Sequence, residues 1–169
     1  MGYTHYFAFV NKEGKKDTKI NKSKFAAASA IVKELAKTVE GMKIKLAGPD
    51  GKGKPIFTRK EIAFNGVGDE MCESFYMDAD GRFMEDYVYG TPFCKTCREP
   101  YDLLVCLTLL AFKHIFKDRF DYSSDGTTRE SIKDPENLAY WKSINWTPKI
   151  DDDWQTAYDI WEQSPFAKK

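Results

Sequence analysis

The chain has 169 residues, 26 basic against 26 acidic, with 42% hydrophobic and 31% charged residues. That balance excludes an intrinsically disordered chain and argues against a surface built to coat nucleic acid, while the length fits one domain with a sizeable core. The longest apolar run is about half of the roughly 20 residues that span a bilayer, and no basic-then-apolar leader pattern opens the sequence. The expectation is therefore a soluble, cytosolic protein whose four cysteines are thiols.

Residues 2–10 (GYTHYFAFV) are rich in Tyr, Phe and Thr and read as a strand. Alternation puts Tyr3, His5, Phe7 and Phe9 on one face and Thr4, Tyr6, Ala8 and Val10 on the other; both faces are largely apolar, so the strand is central. The Lys-rich stretch 12–24 reads as a solvated loop. From Ser23 on, Phe25, Ala28, Val32, Leu35, Ala36 and Val39 fit one side of a helix closed by Gly41. Residues 42–47 alternate Met, Ile and Leu against Lys43 and Lys45, the pattern of a strand with one wet face. A turn cluster, 48–55 (GPDGKGKP), lacks the spacing of a phosphate-binding P-loop and leads to short strands at 56–58 and 61–64. Residues 72–77 and 82–89 read as a hairpin around Asp78-Ala79-Asp80-Gly81.

The stretch 93–117 is the element around which the rest is organised. Over 103–112 every residue but Thr108 is apolar, and the run is entered by Glu99, Pro100, Tyr101 and Asp102, a proline with acids at a helix start. This spacing predicts a helix over 100–117 buried nearly all round. Beyond it come a short strand at 119–122, a turn at 123–127 (SSDGT) and a polar segment, 128–149, read as irregular with one helical turn. A final helix opens at Asp151, Asp152 and Asp153, with Trp154, Ala157, Tyr158 and Trp161 on one face and a stop at Ser164-Pro165. The sum is an α+β protein, a single globular domain over 1–169, with a mostly antiparallel sheet and about three helices.

Several groupings carry chemistry. Lys95, Thr96 and Arg98 place two cations and a hydroxyl where unpaired backbone N–H groups gather, an anion-binding corner unless Glu99 and Asp102 neutralise them internally. Cys94 and Cys97 make a C-x-x-C before a helix, but without the upstream βαβ unit of a redox motif. A zinc site from that pair lacks ligands at a recognised spacing, so neither a metal ion nor a cofactor is expected. Ser124 and Asp125 lie in a turn that either presents them to a ligand or simply turns the chain. Asn65 is a cap or a contact to a base or sugar edge, and His5 is a hydrogen-bonded core residue or an acid–base group.

The chain resembles a family of small uncharacterised proteins encoded by tailed bacteriophages and prophages. The resemblance rests on Gly2-Tyr3-Thr4-His5-Tyr6, 46–51 (LAGPDG), 62–66 (IAFNG), Glu73-Ser74-Phe75, Phe93-Cys94-Lys95-Thr96, Pro100-Tyr101-Asp102, Ser123-Ser124-Asp125-Gly126 and the helix start at 154–157. It departs from the family in the Lys-rich 11–24 loop and a longer 128–149 segment. The resemblance implies action in a host cytoplasm. Its polar pieces, with nearby tyrosines, suit a small anionic, nucleotide-like ligand, held by Lys95 and Arg98, with hydrogen bonds from Thr96 and Ser124 and contacts from Asn65, Tyr101, His5 and Asp125. The alternatives are a hydrolase-type enzyme using His5 with Asp125 or Asp102, and a module that binds a host protein through Trp141 and Trp146. Nucleic acid ranks last as a partner, given the even charge.

Overall fold

The computed structural model describes residues 2–85, 87 and 90–168. Among these, five α-helices and six strands form an α+β fold whose strands make two three-stranded antiparallel sheets. In the first sheet β1 (Thr4–Phe9) is central, between β5 (Phe93–Lys95) and β6 (Phe120–Ser124). In the second, β3 (Glu61–Phe64) is flanked by β2 (Ile56–Phe57) and β4 (Phe75–Asp78).

The organising helix is α2 (Asp102–Phe116). Each of residues 102–112 is buried, and the one polar side chain in the apolar run, Thr108, is satisfied inside its own helix by donating to the Leu104 carbonyl at 2.7 Å. Helix α1 (Lys22–Gly41) packs along α2 with Phe25, Ala28, Val32, Leu35, Ala36 and Val39 buried, the stripe read from the sequence. Its start is fixed by Asn21, whose side chain accepts from Lys24 N at 3.0 Å. Helix α5 (Asp152–Gln163) packs against α2 with Trp154, Ala157 and Tyr158 buried. Aromatic rings join the two sheets: Phe7 stacks on Phe75 and Phe75 on Phe64, each pair 5.0 Å apart.

Four expected elements differ. The strand expected at 42–47 is absent, because Lys43 turns into left-handed backbone (φ 67°) and only Ala47 finds a bridging partner, Asn65. Among the described residues the hairpin expected around 78–81 does not form. Buried Asp78 accepts from the backbone N–H groups of Asp80, Arg82 and Phe83 (2.9, 3.2 and 3.0 Å), which curls Arg82–Met84 into a 3-10 turn, and β4 pairs with β3 instead. Of the strand expected at 82–89, residues 86, 88 and 89 lie outside the described residues. Residues 93–95, read as the lead into the helix, form edge strand β5. The 128–149 segment holds two short helices, α3 (Arg129–Lys133) and α4 (Pro135–Ser143), started by Thr128 and Asp134, whose side chains accept from helix N–H groups. No helix among the described residues is long and apolar enough to cross a membrane.

Candidate functional site

Strand β5 links the two places where functional side chains gather. At its Lys95 end the chain turns into α2 through Cys97 and Arg98, consecutive residues in left-handed backbone (φ 57° and 62°). This turn and the first turn of α2 build a polar knot under β1. His5 Nε2 donates to Asp102 Oδ1 at 2.7 Å, the Thr96 hydroxyl donates to the same oxygen, and the Cys106 thiol donates to Oδ2 at 3.6 Å. Asp102 and Cys106 are one helical turn apart, so they share the face of α2 that meets His5. His5, Thr96, Asp102 and Cys106 are all buried, and the His5 ring sits edge-on between Tyr3 (5.1 Å) and Trp154 (5.6 Å). His5 Nδ1 has no hydrogen-bond partner among the described residues. Burial holds the Cys106 thiol well above its ordinary range, which keeps it a donor to the carboxylate.

Three of these groups could also hold a metal ion by spacing alone, since ligand atoms of His5, Asp102 and Cys106 lie within 4.8 Å of one another. Both Asp102 oxygens, however, already accept hydrogen bonds, and the thiol keeps its proton. The arrangement is a buried network, paired at Asp102 though not at His5 Nδ1, that anchors β1 to the head of the core helix.

Above the knot lies Arg98. Its guanidinium stacks on the Tyr3 ring at 3.8 Å and donates to Asp151 Oδ2 at 2.7 Å and Asp153 Oδ2 at 3.0 Å, tying the α2 entry to the start of α5. Asp151 is the main partner and holds the guanidinium charged; at Asp153 burial outweighs the arginine and pushes the carboxyl up. The internal neutralisation weighed for this corner therefore does occur, though through acids 53 and 55 residues away rather than Glu99 and Asp102.

The remaining predicted residues are mostly spent on the frame. Ser124 Oγ accepts from Trp154 Nε1 (3.2 Å) and Gly126 N (3.0 Å), and Asp125 Oδ2 accepts from Thr4 N (2.9 Å), so this turn locks β6 to β1 and α5. Tyr101, fully buried, donates to the Glu73 carbonyl at 2.7 Å. Lys95 N donates to Glu73 Oε2, and its stem lies over Gly2. Asn65 closes its own loop, donating to Cys72 O (3.0 Å) and Ser74 Oγ (3.2 Å) and accepting from Gly66 N and Cys72 N. The structure thus joins His5, Thr96 and Asp102 in one network, places Ser124 and Asp125 beside β1, and leaves Asn65 and Tyr101 on the side of Glu73 and the second sheet.

At the Phe93 end the picture reverses. β5 and the chain entering β4 touch at Glu73 N–Lys95 O (3.0 Å). Beyond that contact a recess of about 220 Å³ opens, lined by Phe7, Ser74, Tyr76, Arg82, Phe83, Tyr87, Pro92 and Phe93. Tyr76 and Phe93 are exposed, and Tyr87 packs edge-on against Phe93 at 5.5 Å. The Arg82 side chain is 65% exposed and only loosely paired with Asp78, at 3.7 Å. Ser74 Oγ accepts from Asp50 N (2.8 Å) and Asn65 Nδ2, which fixes it with its own proton available to donate. Sequence reasoning read these residues as strand and core. The available signal was the alternation through 72–77, which sets Ser74 and Tyr76 opposite buried Phe75 and Met77.

No protein-family model, curated protein or solved structure matches the chain.

Proposed function

We propose that the protein binds a small planar anion, a nucleotide or a comparable ring compound bearing phosphate or carboxylate, in the recess between β4 and β5. The observation that supports this most is the lining: exposed faces of Tyr76 and Phe93 over Phe7 and Phe83, with one lightly engaged guanidinium and one oriented hydroxyl. Aromatic walls stack on a ring whatever its identity, and Arg82 supplies a fork for its charged group. The volume of about 220 Å³ falls below the roughly 300–1,000 Å³ of pockets that enclose drug-sized ligands. It suits one ring system with its anionic group left outside, on Arg82. The family resemblance supplies the setting, a phage-encoded factor that sequesters such a ligand in the host cytoplasm.

The test is a melting series with AMP, GMP, CMP, UMP and 3′,5′-cyclic AMP, with inorganic phosphate and adenosine as controls. A ligand at a hundred times its Kd adds about 2.7 kcal/mol, and hence roughly 5–10 °C in Tm for a domain of this size. The nucleotides should raise Tm more than phosphate or the nucleoside alone, and Tyr76→Ala should shrink the rise. If none of the compounds moves the melt of the intact protein, the reading falls.

The acid–base reading meets its distance requirement at His5 and Asp102, but both groups are sealed from solvent, so the dyad supports structure rather than turnover. A second reading, interaction with another protein, is favoured by one observation: Leu138, Tyr140, Ile144 and Trp146 are each about half exposed, and α4 buries none of its residues. With 26 charges of each sign, copies of the chain do not repel one another, so a second copy is the occupant to test. Sedimentation across a concentration series should then show a dimer that Tyr140→Ser with Trp146→Ser abolishes; a monomer throughout removes this occupant.

A further inference from the structure

The ladders on either side of the recess leave two strand edges open into it. In an antiparallel pair, residues whose N–H and C=O both point to the partner strand alternate with residues whose groups point the other way. On β1 and β5 the phase is set by Thr96 N donating to Tyr3 O (2.9 Å) and Phe7 N donating to Pro92 O (3.0 Å), at the two ends of a register that puts Thr4 opposite Lys95 and Tyr6 opposite Phe93. Cys94 therefore bonds to β1, and the backbone groups of Lys95 and Phe93 face away from it. Those of Lys95 meet Glu73: its N–H donates to Glu73 Oε2 (2.8 Å) and its carbonyl accepts from Glu73 N (3.0 Å). Those of Phe93, further back along the same edge, point to the recess and find no partner among the described residues. The opposite rim has the same character. Ala79 N donates to Lys60 O (2.8 Å) beside a register that puts Met77 opposite Ile62 and Phe75 opposite Phe64. Phe75 and Met77 thus bond to β3, and the N–H and C=O of Tyr76 point outward, again with no partner among the described residues.

We propose that these two open edges read the pairing edge of a nucleobase, with the backbone of Phe93 as the main reader and that of Tyr76 facing it across the recess. This deepens the ligand reading above and rests on it. A residue on an open strand edge offers one donor and one acceptor side by side, the pair that a neighbouring strand would satisfy. A nucleobase carries a donor next to an acceptor on its pairing edge, and proteins that read unpaired bases stack the ring and bond that edge together. Here Tyr76 and Phe93 supply both kinds of contact, ring and backbone, from the two rims. A ring that enters the recess displaces water from these backbone groups. One without a matching donor and acceptor leaves them unpaired, which costs more than its stacking alone would suggest. The ligand class therefore narrows from any planar anion to a base whose pairing edge is free. Benzoate or phenyl phosphate could stack and reach Arg82 but would leave the strand edges unanswered.

The experiment titrates the full-length chain calorimetrically with AMP, GMP and UMP, then with N6,N6-dimethyl-AMP, 1-methyl-GMP and 3-methyl-UMP, whose pairing edges are blocked, and with phenyl phosphate. The nucleotide that binds tightest should lose about tenfold or more in affinity when its edge is methylated, and phenyl phosphate should bind more weakly than any free-edged nucleotide. A second arm compares Phe93→Ala with Phe93→Pro. Both remove the ring, but only proline also removes the N–H, at an edge position where β1 does not use it and where proline is tolerated. Phe93→Pro should raise Kd a further roughly 2- to 10-fold over Phe93→Ala. Should proline prevent folding, the methylated analogues on the unaltered chain still decide. If nucleotides bind and their edge-methylated forms bind equally well, the strand edges do not read the base, and the recess reading survives without them. If no nucleotide binds at all, the recess reading falls and takes this inference with it.

Discussion

The two ends of β5 face opposite fates. At the Lys95 end, most polar groups that sequence would nominate for ligand binding are engaged by the fold, Thr96 by Asp102, Arg98 by Asp151 and Asp153, and Tyr101 by Glu73, while the Lys95 side chain stays exposed. At Phe93, the chain's ordinary core-forming residues are left partly uncovered because β4 and β5 diverge after a single backbone contact. Polar residues near a helix start thus serve here as fasteners, and the surface with room for a ligand is made of aromatics. The difference follows from burial. An ionised or hydroxyl-bearing group close to the head of a sealed helix must find a partner inside, whereas an aromatic ring at a sheet edge loses little by staying half wet.

The largest effect expected at the closed end comes from Asp102. Asp102→Ala removes the acceptor of His5 Nε2, the Thr96 hydroxyl and the Cys106 thiol at once, leaving buried donors unpaired. The cost should be about 3–5 kcal/mol, read as a lowered urea midpoint with little change in m. A loss below about 1 kcal/mol would mean the knot is relaxed by water. Alkaline titration probes the same sealed interior as a whole. Burial raises the phenols of Tyr3, Tyr101 and Tyr158 from an ordinary value of 10.0, and the thiols of Cys94 and Cys106 from 9.0. In the unfolded chain these groups ionise at their ordinary values, while the fold holds their protons. Their contribution is therefore intact below pH 9 and falls steadily as pH rises past 9 and then 10. Urea midpoints at pH 8, 9.5 and 10.5 should decline in that order.

Much of this contrast was hidden from the sequence for a physical reason. The core helix, the central position of β1 and the buried stripe of α1 were legible, since each rests on local periodicity carried by its own residues. The partners of Asp102 and Arg98 were not, because His5 lies 97 residues and Asp151 53 residues away, and no local pattern encodes such meetings. Asp78 shows the same blindness at short range. Its neighbours read as hairpin turn chemistry, yet one buried carboxylate accepting three backbone N–H groups redirects the chain and helps create the recess. The recess itself depends on where two strands part, a property of packing that leaves only the Ser74 and Tyr76 alternation as its trace.

At the open end the effects should appear in affinity and not in stability. Tyr76→Ala or Phe93→Ala removes a half-exposed ring; if that ring stacks on the ligand, about 1–3 kcal/mol of binding is lost, close to a 5- to 150-fold rise in Kd. Arg82→Ala should weaken binding of phosphorylated ligands and leave the bare nucleoside unaffected. Calorimetric titration separates the two effects. Equal losses for nucleotide and nucleoside in Arg82→Ala would place the anionic group elsewhere.

The smallest expected change comes from Arg98→Ala, and it separates the two ends most sharply. Arg98 is half exposed, so its two ion pairs count as surface pairs worth a few tenths of a kcal/mol each, with a further ~0.5–1 kcal/mol from its stacking on Tyr3. The total, about 1–2 kcal/mol, should shrink in 1 M salt as the ionic part is screened, leaving the stacking part. Ligand affinity should not change. If affinity instead collapsed in Arg98→Ala while Tyr76→Ala bound normally, the ligand would have to displace Asp151 and Asp153 from the guanidinium. The start of α2, rather than the gap between β4 and β5, would then be the working end of β5.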